Sequence, residues 1–385
     1  MMSLSRWKVV LTVLAVVLGV LFTLPNILPP GTVSELPAFM PKKTLNLGLD
    51  LQGGSYLLLE VDTKALKAEK ITNIAEDSRA TLRKAQIPFG ELATTNDQVT
   101  LRVLDPTKAQ AAAKALRGAV GSALAGVPGG RDVTVSIIDG DRIRIAFVPE
   151  AIEAEGRQAV EQSIEIVRRR IDELGTREPT ILRQGANRVV VQAPGESDPQ
   201  RLRDVIGKTA KLTFQMVDDT VTQEDLAAGR VPPGSVMAPS EDSYAPAYVL
   251  RRRVLVDGGM LTDARMQFDQ QSGQPVVTFR FNGQGARRFG DATTQNIGKR
   301  FAIVLDGKII SAPVIQTAIT GGSGQITGNF TAESANDLAL LLRAGALPAP
   351  LVVVEQRTVG AELGADAVKA GATSTGVGFA AILVF

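Results

Sequence analysis

The chain has 385 residues, a length that favours two or more domains, and its 42 lysines and arginines nearly balance 40 aspartates and glutamates. This balance gives no overall electrostatic footprint for a nucleic acid or another anionic partner, so binding to either is disfavoured. The chain contains neither histidine nor cysteine, which excludes disulfides, His-based zinc sites and a histidine general base.

The first element is the charge-free segment Val9–Leu28, which has 20 residues and as a helix would cross a hydrocarbon layer of ~30 Å. Residues 1–30 are therefore predicted to hold the amino end and a first transmembrane helix. Arg6 and Lys8 precede the segment and favour a cytoplasmic amino end, which would place residues 31–369 in a periplasmic space. A cleaved signal peptide is the alternative, but no A-x-A-like cleavage site follows.

A strictly alternating stretch comes next. Leucines occupy every second position of Thr44–Gln52, which predicts a half-buried strand. Gly53 and Gly54 would then allow a sharp turn into a second strand, Tyr56–Val61.

From that strand onward, a first unit over residues 43–217 follows the order β-α-β-β-α-β. Its later elements are a helix with an apolar face from Val160 to Leu174, strands 180–183 and 188–192, a short helix capped by Asp198, and a strand 211–217. An α/β insertion at residues 62–150 interrupts the unit. It is predicted to contain helices 63–85 and 108–125, a strand 98–104 and a hairpin 133–148.

A second unit repeats the same order of elements. Its predicted elements are a strand 275–281, a helix 285–297, strands 301–305 and 308–315 joined by an Asp306-Gly307 turn, a helix from Thr331 to Gly345, and a strand 351–355. The predicted fold is thus α+β: an amino-terminal transmembrane helix followed by two ferredoxin-like β-α-β-β-α-β units.

Two crossings would join these units. Residues 218–243 are predicted to form an unstructured linker, and the return passes Gly345, Pro348 and Pro350. Such crossings suit a hinge between two rigid bodies, although a rigid interface with two ordinary loops is the alternative.

The final segment, residues 370–385, is apolar and uncharged, and it predicts the first part of a second membrane helix in a truncated chain. A buried core helix is the alternative. Small residues recur every fourth position in both apolar segments, which predicts close helix packing in lipid. These helix-packing residues are Ala15, Gly19, Thr23, Ala372, Gly376 and Ala380.

Catalytic motifs are absent from the sequence. The glycine-rich stretch Gly321–Gly328 lacks the GK[ST] ending of a phosphate loop, which favours a mobile hairpin or loop. Asp50 and Asp306 adjoin glycines, where aspartate commonly accepts backbone N–H bonds in turns. The arginine runs 168–170 and 251–253 are predicted to be solvated faces. The sequence therefore predicts no enzyme, and no catalytic, cofactor-binding or metal-binding residue.

Several motifs together resemble one family. They are "LNLGLDLQGG", "RRRIDELGTREPTI", "RVVVQAPG", "NIGKRFAIVLDGKIISAPVI", "GGSGQITG" and "LALLLRAGALPAPL". In this order they resemble the SecD subunits of the bacterial Sec protein-export translocase, which are related to RND transporters.

The resemblance implies a protein of the bacterial inner membrane with a large periplasmic domain between its first two helices. Its base would be residues 43–217, its head 218–342 and the return to the base 343–369. The implied partners are SecF, the SecY channel complex and a translocating unfolded polypeptide, and the implied energy source is the proton-motive force. Another RND-type export pump is the alternative.

The resemblance also gives the opening motif a role. Leu49, Asp50, Gln52, Gly53 and Gly54 would form a mechanical junction between the first membrane helix and the base, with the leucines fixing it to the base. The family's proton-carrying acidic residue lies in a later membrane helix, so no proton-relay residue is assigned in this chain.

Overall fold

The computed structural model describes residues 6–27, 49–95, 97–121, 131–176, 179–196, 198–222, 224–225, 228–232, 234–241 and 245–384. The chain divides into two compact units. One comprises residues 1–53 and 360–385, and the other is Gly54–Val359. The fold is mixed α and β, as predicted.

The α-helices are α1 (Arg6–Ile27), α2 (Leu49–Gln52), α3 (Thr63–Lys84), α4 (Ala109–Ala119), α5 (Pro149–Glu173), α6 (Pro199–Gly207), α7 (Gly283–Gln295), α8 (Ala332–Ala344) and α9 (Ala361–Val384). The strands are β1 (Gly54–Val61), β2 (Phe89–Thr94), β3 (Gln98–Val103), β4 (Val133–Ile138), β5 (Arg142–Phe147), β6 (Thr180–Gln184), β7 (Arg188–Pro194), β8 (Leu212–Val217), β9 (Ser235–Pro239), β10 (Ala247–Asp257), β11 (Leu261–Phe268), β12 (Pro275–Phe281), β13 (Phe301–Leu305), β14 (Lys308–Ser311), β15 (Ser323–Ile326) and β16 (Leu351–Val359).

The first unit contains α1, α2 and α9, and α2 lies against α9. Helix α1 coincides closely with the predicted apolar segment. Helix α9 begins nine residues before the predicted position 370, because its first turns consist mostly of good helix formers such as Ala, Glu and Leu. Among the helices that the structure describes, none has both the length and the apolar character needed to cross a membrane.

The strand predicted over Thr44–Gln52 is wrong in its described part. Residues 49–52 form the single helical turn α2, and residues 44–48 lie outside the described residues. Gly53, with φ of 73°, ends the turn and donates its N–H to the Leu49 carbonyl at 2.9 Å. Over the four residues 49–52, the alternation of apolar and polar side chains fits a helical turn as well as a strand.

One antiparallel sheet has the strand order β16-β1-β7-β6. We call this sheet, together with helices α5 and α6, the proximal region. Its core contains aliphatic side chains from the strands and both helices. The predicted strand 211–217 is confirmed as β8, but its place as the last strand of this unit is wrong, because β16 lies beside β1 while β8 pairs with β10 and β13. Local pattern gave no information on which distant strand would pair there.

The inserted region, residues 62–148, has its own core. Its antiparallel sheet has the order β2-β3-β5-β4, and α3 and α4 pack against it. The predicted helix 63–85, strand 98–104 and hairpin 133–148 are confirmed, the hairpin turning at Asp139 and Gly140 with φ of 53° and 77°. The predicted helix 108–125 is confirmed as α4 to Ala119, and residues 122–130 lie outside the described residues. Strand β2 was not predicted.

The phenylalanine region contains β8 to β15, α7 and α8. A five-stranded sheet (β14-β13-β8-β10-β9) and a three-stranded sheet (β11-β12-β15) share one core built around phenylalanine rings. The predicted second ferredoxin-like unit is wrong, because its four strands are divided among three sheets: β12, then β13 with β14, and β16. The order of these elements along the chain resembles that of the first unit. In the sheets, however, β12 pairs with β15 and β13 pairs with β8, and neither partner was part of the predicted unit.

Two predicted loops in this region contain strands. In the predicted linker 218–243, residues 235–239 form β9, an edge strand that tolerates Pro239 because only one side of it is paired. In the glycine-rich stretch, residues 323–326 form β15 beside β12. Gly324 is required there, because a Cβ at this position would lie 2.7 Å from the Phe279 ring.

Candidate functional site

The chain crosses twice between the proximal and phenylalanine regions, and both crossings meet at one place. The outward crossing is residues 208–211, and the return is residues 345–350. The Leu347 N–H donates to the Thr209 carbonyl at 2.8 Å, which joins the two segments directly. Ala210 on one crossing and Leu347 on the other are both buried. We call this place the joint.

Arg170, on α5, lies at the centre of the joint and is completely buried. Its guanidinium donates to the carbonyls of Val205 at 2.9 Å and Ile206 at 3.0 Å. It also donates to the outward crossing, at Lys208 and Thr209, and to Gly345 on the return at 3.0 Å. One side chain therefore bonds the end of α6 and both crossings.

The acceptors explain how a buried cation is tolerated without a hydrogen-bonded carboxylate. Val205 and Ile206 lie in the last turn of α6, and Gly345 is the C-cap of α8, so their carbonyls lie at the negative ends of two helices. Burial lowers the pKa of Arg170 to about 10, and the nearby charge of Asp306 opposes that shift. The side chain therefore remains a cation at neutral pH.

Asp306 holds the joint from the other side. Its carboxylate accepts hydrogen bonds from Thr209 Oγ1 at 2.7 Å and from the backbone N–H groups of Ala210 and Lys211 at 3.0 and 2.8 Å. The predicted Asp306-Gly307 hairpin turn is confirmed: both residues have positive φ, 50° and 81°, and they connect β13 to β14. The structural interpretation of this aspartate is also confirmed.

Two ion pairs flank the joint. Arg343 on α8 donates to Glu173 on α5 at 2.7 and 3.2 Å and also to the Ala264 carbonyl at 2.7 Å. Arg201 on α6 lies 3.9 Å from Asp337 on α8. Each pair connects the proximal region to the phenylalanine region.

The predicted junction motif lies elsewhere, where the chain passes from one compact unit to the other between Gly53 and Gly54. Gly53 has φ of 73° and Gly54 has φ of 140°, conformations that glycine adopts readily. Gly54 is paired with Val359 of β16, after which the chain returns to the first unit at Gly360. The side chains of Asp50 and Gln52 lie outside the described residues. Leu49 is half-buried and Leu51 is 40% exposed, so the role predicted for the leucines stays a prediction.

The predicted helix-packing residues are exposed in the described chain. A Cβ added at Gly19 or Gly376 would meet no atom within 4 Å, and Thr23 donates to the Gly19 carbonyl at 3.0 Å. The remaining members, Ala15, Ala372 and Ala380, are likewise exposed. Their packing against another helix stays a prediction.

Arg170 is the residue of the joint that the sequence analysis missed: the run 168–170 was predicted to be a solvated face, but Arg170 is buried. A signal was present. Arg170 lies between Val167 and Ile171 on the helix face that was predicted to be buried.

Comparison with known proteins gives consistent matches along the chain. Family models match as follows: the SecD/SecF GG motif over residues 38–65, the amino-terminal part of the P1 domain of protein translocase subunit SecDF over 160–219, and the SecDF P1 head subdomain over 235–349.

Whole-chain relatives agree with these models. The protein translocase subunit SecD of Rickettsia prowazekii is 40% identical over 387 residues, a match that covers 100% of this chain and 71% of the relative. The SecD of Acetobacter pasteurianus is 44% identical over 385 residues, with 99% and 71% covered. The crystal structure of SecDF in its super-membrane-facing form matches with 29% identity and a TM-score of 0.51, covering 95% of this chain and 38% of that chain.

Proposed function

Because this chain belongs to the SecD family of protein translocase subunits, we propose that it drives late steps of polypeptide export. In this proposal it acts with SecF beside the SecY channel, in the bacterial inner membrane, and uses the proton-motive force. The exported chain is its cargo, and the protein catalyses no covalent reaction.

In structural terms, the proximal region is the base and the phenylalanine region is the head, both in the periplasm. We propose that the base is a ferredoxin-like unit, a proposal supported by its sheet order, in which the fourth strand, β16, lies beside the first. Helices α1 and α9 are the membrane-anchoring elements of the proposal, and Gly53-Gly54 is the junction between α2 and the base.

One observation carries the mechanical part of the proposal: both base-to-head crossings are gathered around Arg170. Points close to a rotation axis move little, so hydrogen bonds at the joint can persist while distant surfaces of the head move much further. Hinges commonly depend on a few residues at the ends of helices and strands. Residues 208–211 connect α6 to β8, and residues 345–350 connect α8 to β16. Rotation of the head about the joint would move a bound polypeptide during export.

A chemical cross-link between base and head tests this mechanism. Arg201 on α6 and Asp337 on α8 lie 3.9 Å apart across the two regions. They lie six residues before the end of α6 and eight residues before the Gly345 cap, and so at a distance from the joint. Since this sequence has no cysteine, R201C/D337C provides its only two thiols. We expect a short bis-maleimide to slow export of a precursor into membrane vesicles by at least about tenfold when the protein carries the link. Vesicles are energised by an imposed proton gradient.

The matched control links two positions within the base. Glu161 on α5 and Arg183 on β6 form an ion pair at 4.0 Å, and cross-linked E161C/R183C should export at the unlinked rate. The single-cysteine variants R201C and D337C, treated with the same reagent, correct for loss of the Arg201–Asp337 pair. Export that is equally fast with and without the base-to-head link would exclude rotation as the working motion.

A further inference from the structure

A cleft between the inserted region and the phenylalanine region is lined by arginines. It has a volume of about 530 Å³ and lies between α3 and β10. Helix α3 contributes Arg79 and Arg83, which are four residues apart and share one helix face. Strand β10 contributes Arg252 and Arg253. This arginine cleft includes two of the three arginines of the basic run 251–253, which was predicted to be a solvated face.

A β-bulge explains how two consecutive strand residues line the same cleft. In a regular strand, Arg252 and Arg253 would point to opposite faces of the sheet. The register between β10 and β8 shifts here: Leu250 is paired with Val217, but Val254 is paired with Gln215. Three arginines thus oppose the single residue between those partners, and bulges of this kind re-aim side chains.

The cleft holds more positive charge than its carboxylates neutralise. Glu76 pairs with Arg252, with Oε1 2.8 Å from Nη1, and is the only acidic residue that lines the described cleft. In the part of the chain that the structure describes, Arg79, Arg83 and Arg253 form no ion pair. The near-zero net charge of the whole chain therefore conceals a local excess of cations at this place.

From this geometry we propose that the arginine cleft binds a multiply charged oxyanion of the phosphate class. A guanidinium offers a planar fork of N–H donors that fits phosphate and carboxylate oxygens alike. A carboxylate presents two oxygens in one plane, whereas a phosphate presents oxygens in several directions and can accept from guanidiniums on opposite walls at once. Arginines from both α3 and β10 favour the phosphate geometry.

The bound anion would also connect two regions of the protein. The Glu76–Arg252 pair already bridges α3 and β10. Lys211, on the outward crossing directly before β8, pairs with Glu69 on α3. An anion shared by Arg83 and Arg253 adds a third link between the inserted and phenylalanine regions. Binding is therefore expected to stabilise this contact.

Equilibrium dialysis with inorganic pyrophosphate, using the whole chain in neutral detergent, tests the proposal. We expect saturable binding that weakens as salt is added, because exposed charges are screened. The double variant R83Q/R253Q should raise the dissociation constant at least about tenfold, since two charge-assisted contacts are lost. R251Q is the matched control, because Arg251 neighbours the same bulge but does not line the cleft.

A second arm separates the possible sources of the phosphate. Soluble dihexanoyl phosphatidic acid is tested in competition with pyrophosphate, and a lipid headgroup source predicts displacement whereas a free phosphate source predicts none. Either result supports the site if R83Q/R253Q abolishes the binding concerned. The proposal is overturned if neither probe binds, if the double variant binds as the native chain does, or if an Asp/Glu-rich peptide binds more tightly than both probes.

Discussion

The proximal and phenylalanine regions are built around different kinds of core. Buried side chains of the proximal core are aliphatic. The other core is centred on Phe214, whose ring lies 5.3 to 5.5 Å from three neighbouring phenylalanine rings, with tilted or edge-to-face geometry. Aliphatic cores accept volume-conserving changes, whereas aromatic pairs depend on their relative orientation. The comparison teaches that the two regions tolerate substitution differently.

Glycines show the same contrast. In the proximal region, a Cβ added at Gly175, Gly185 or Gly207 would meet no atom within 4 Å. In the phenylalanine region, a Cβ at Gly285 would lie 2.9 Å from Met260 and one at Gly324 would lie 2.7 Å from Phe279. At Gly285 and Gly324 the packed core therefore leaves no room for a side chain, whereas other glycines of this region, such as Gly283 and Gly307, have open space around them.

The largest expected effect comes from removing the central ring. Phe214→Ala should lower the free energy of unfolding by about 4 kcal/mol, because it deletes a fully buried ring and leaves a cavity among the others. Val191→Ala in the proximal core should cost about 2 kcal/mol. Phe268→Ala is the control, since that ring is 60% exposed. Denaturant unfolding followed by circular dichroism measures all three, and equal losses for Phe214 and Val191 would contradict the comparison.

Arg170→Met tests the boundary between the regions and should cost about 3 kcal/mol, because it leaves the carbonyls of α6 and both crossings buried without a donor. Limited proteolysis should then release the two regions as separate fragments. Arg169→Met on the same helix is exposed and should leave both the stability and the cleavage pattern unchanged. A variant at Arg170 that resists proteolysis as the native chain does would show that the joint does not hold the regions together.

Gly324→Ala should cost about 2 kcal/mol by overpacking. The Phe279 ring is buried against Phe214 and Phe281 and cannot move aside without disturbing them. Gly321→Ala, three residues away, would meet only the Ser323 Oγ at 4.0 Å and should be neutral. Thermal unfolding of the two variants separates ring packing from a general need for glycine, and equal melting temperatures would refute the ring-packing explanation.

The smallest expected effect concerns acid stability of the phenylalanine region. Hydrogen bonds from Ser235 and Thr220 lower the pKa of Asp218 below its ordinary value of 3.8. Because the folded pKa lies below the unfolded one, this stabilisation is present above about pH 4 and is lost as pH falls through the folded value. Asp218→Asn should therefore be less stable than the native chain at pH 7 and equal to it in strong acid.

Stability curves against pH measure that difference. Asp219→Asn, at the exposed neighbouring position, is the control and should follow the native curve. A gap between Asp218→Asn and the native chain that stays constant down to the lowest pH would mean that the carboxylate charge is not responsible.

Much of the local structure could be predicted because its signals are local. The Asp139-Gly140 and Asp306-Gly307 turns and the cap residues Asp198 and Thr331 act within a few residues of themselves. Sheet membership could not be predicted in the same way. Strand β8 joins β10 and β13, and β16 joins β1, through contacts between distant parts of the sequence that local periodicity does not encode.

The joint illustrates the same limit at the level of a site. The helical face containing Arg170 was visible in the sequence, but its acceptors come from α6, the outward crossing and Gly345. Only the fold brings these carbonyls together. Asp306 could be assigned a structural role because aspartate in a turn commonly accepts backbone N–H groups, although the bonds it accepts come from residues 209–211.

The pairing of β1 with β16 has a consequence for how the protein is made. Gly54 and Val359 are partners in this ladder, so the sheet of the proximal region cannot be completed until β16, residues 351–359, has been synthesised. The inserted region and the phenylalanine region, which lie between these strands in sequence, can form their cores earlier. Until β16 arrives, one edge of β1 exposes unpaired N–H and C=O groups to any passing strand. On the ribosome, the proximal sheet is therefore the last to close, and the nascent chain is most open to mispairing in the interval before residue 351 emerges.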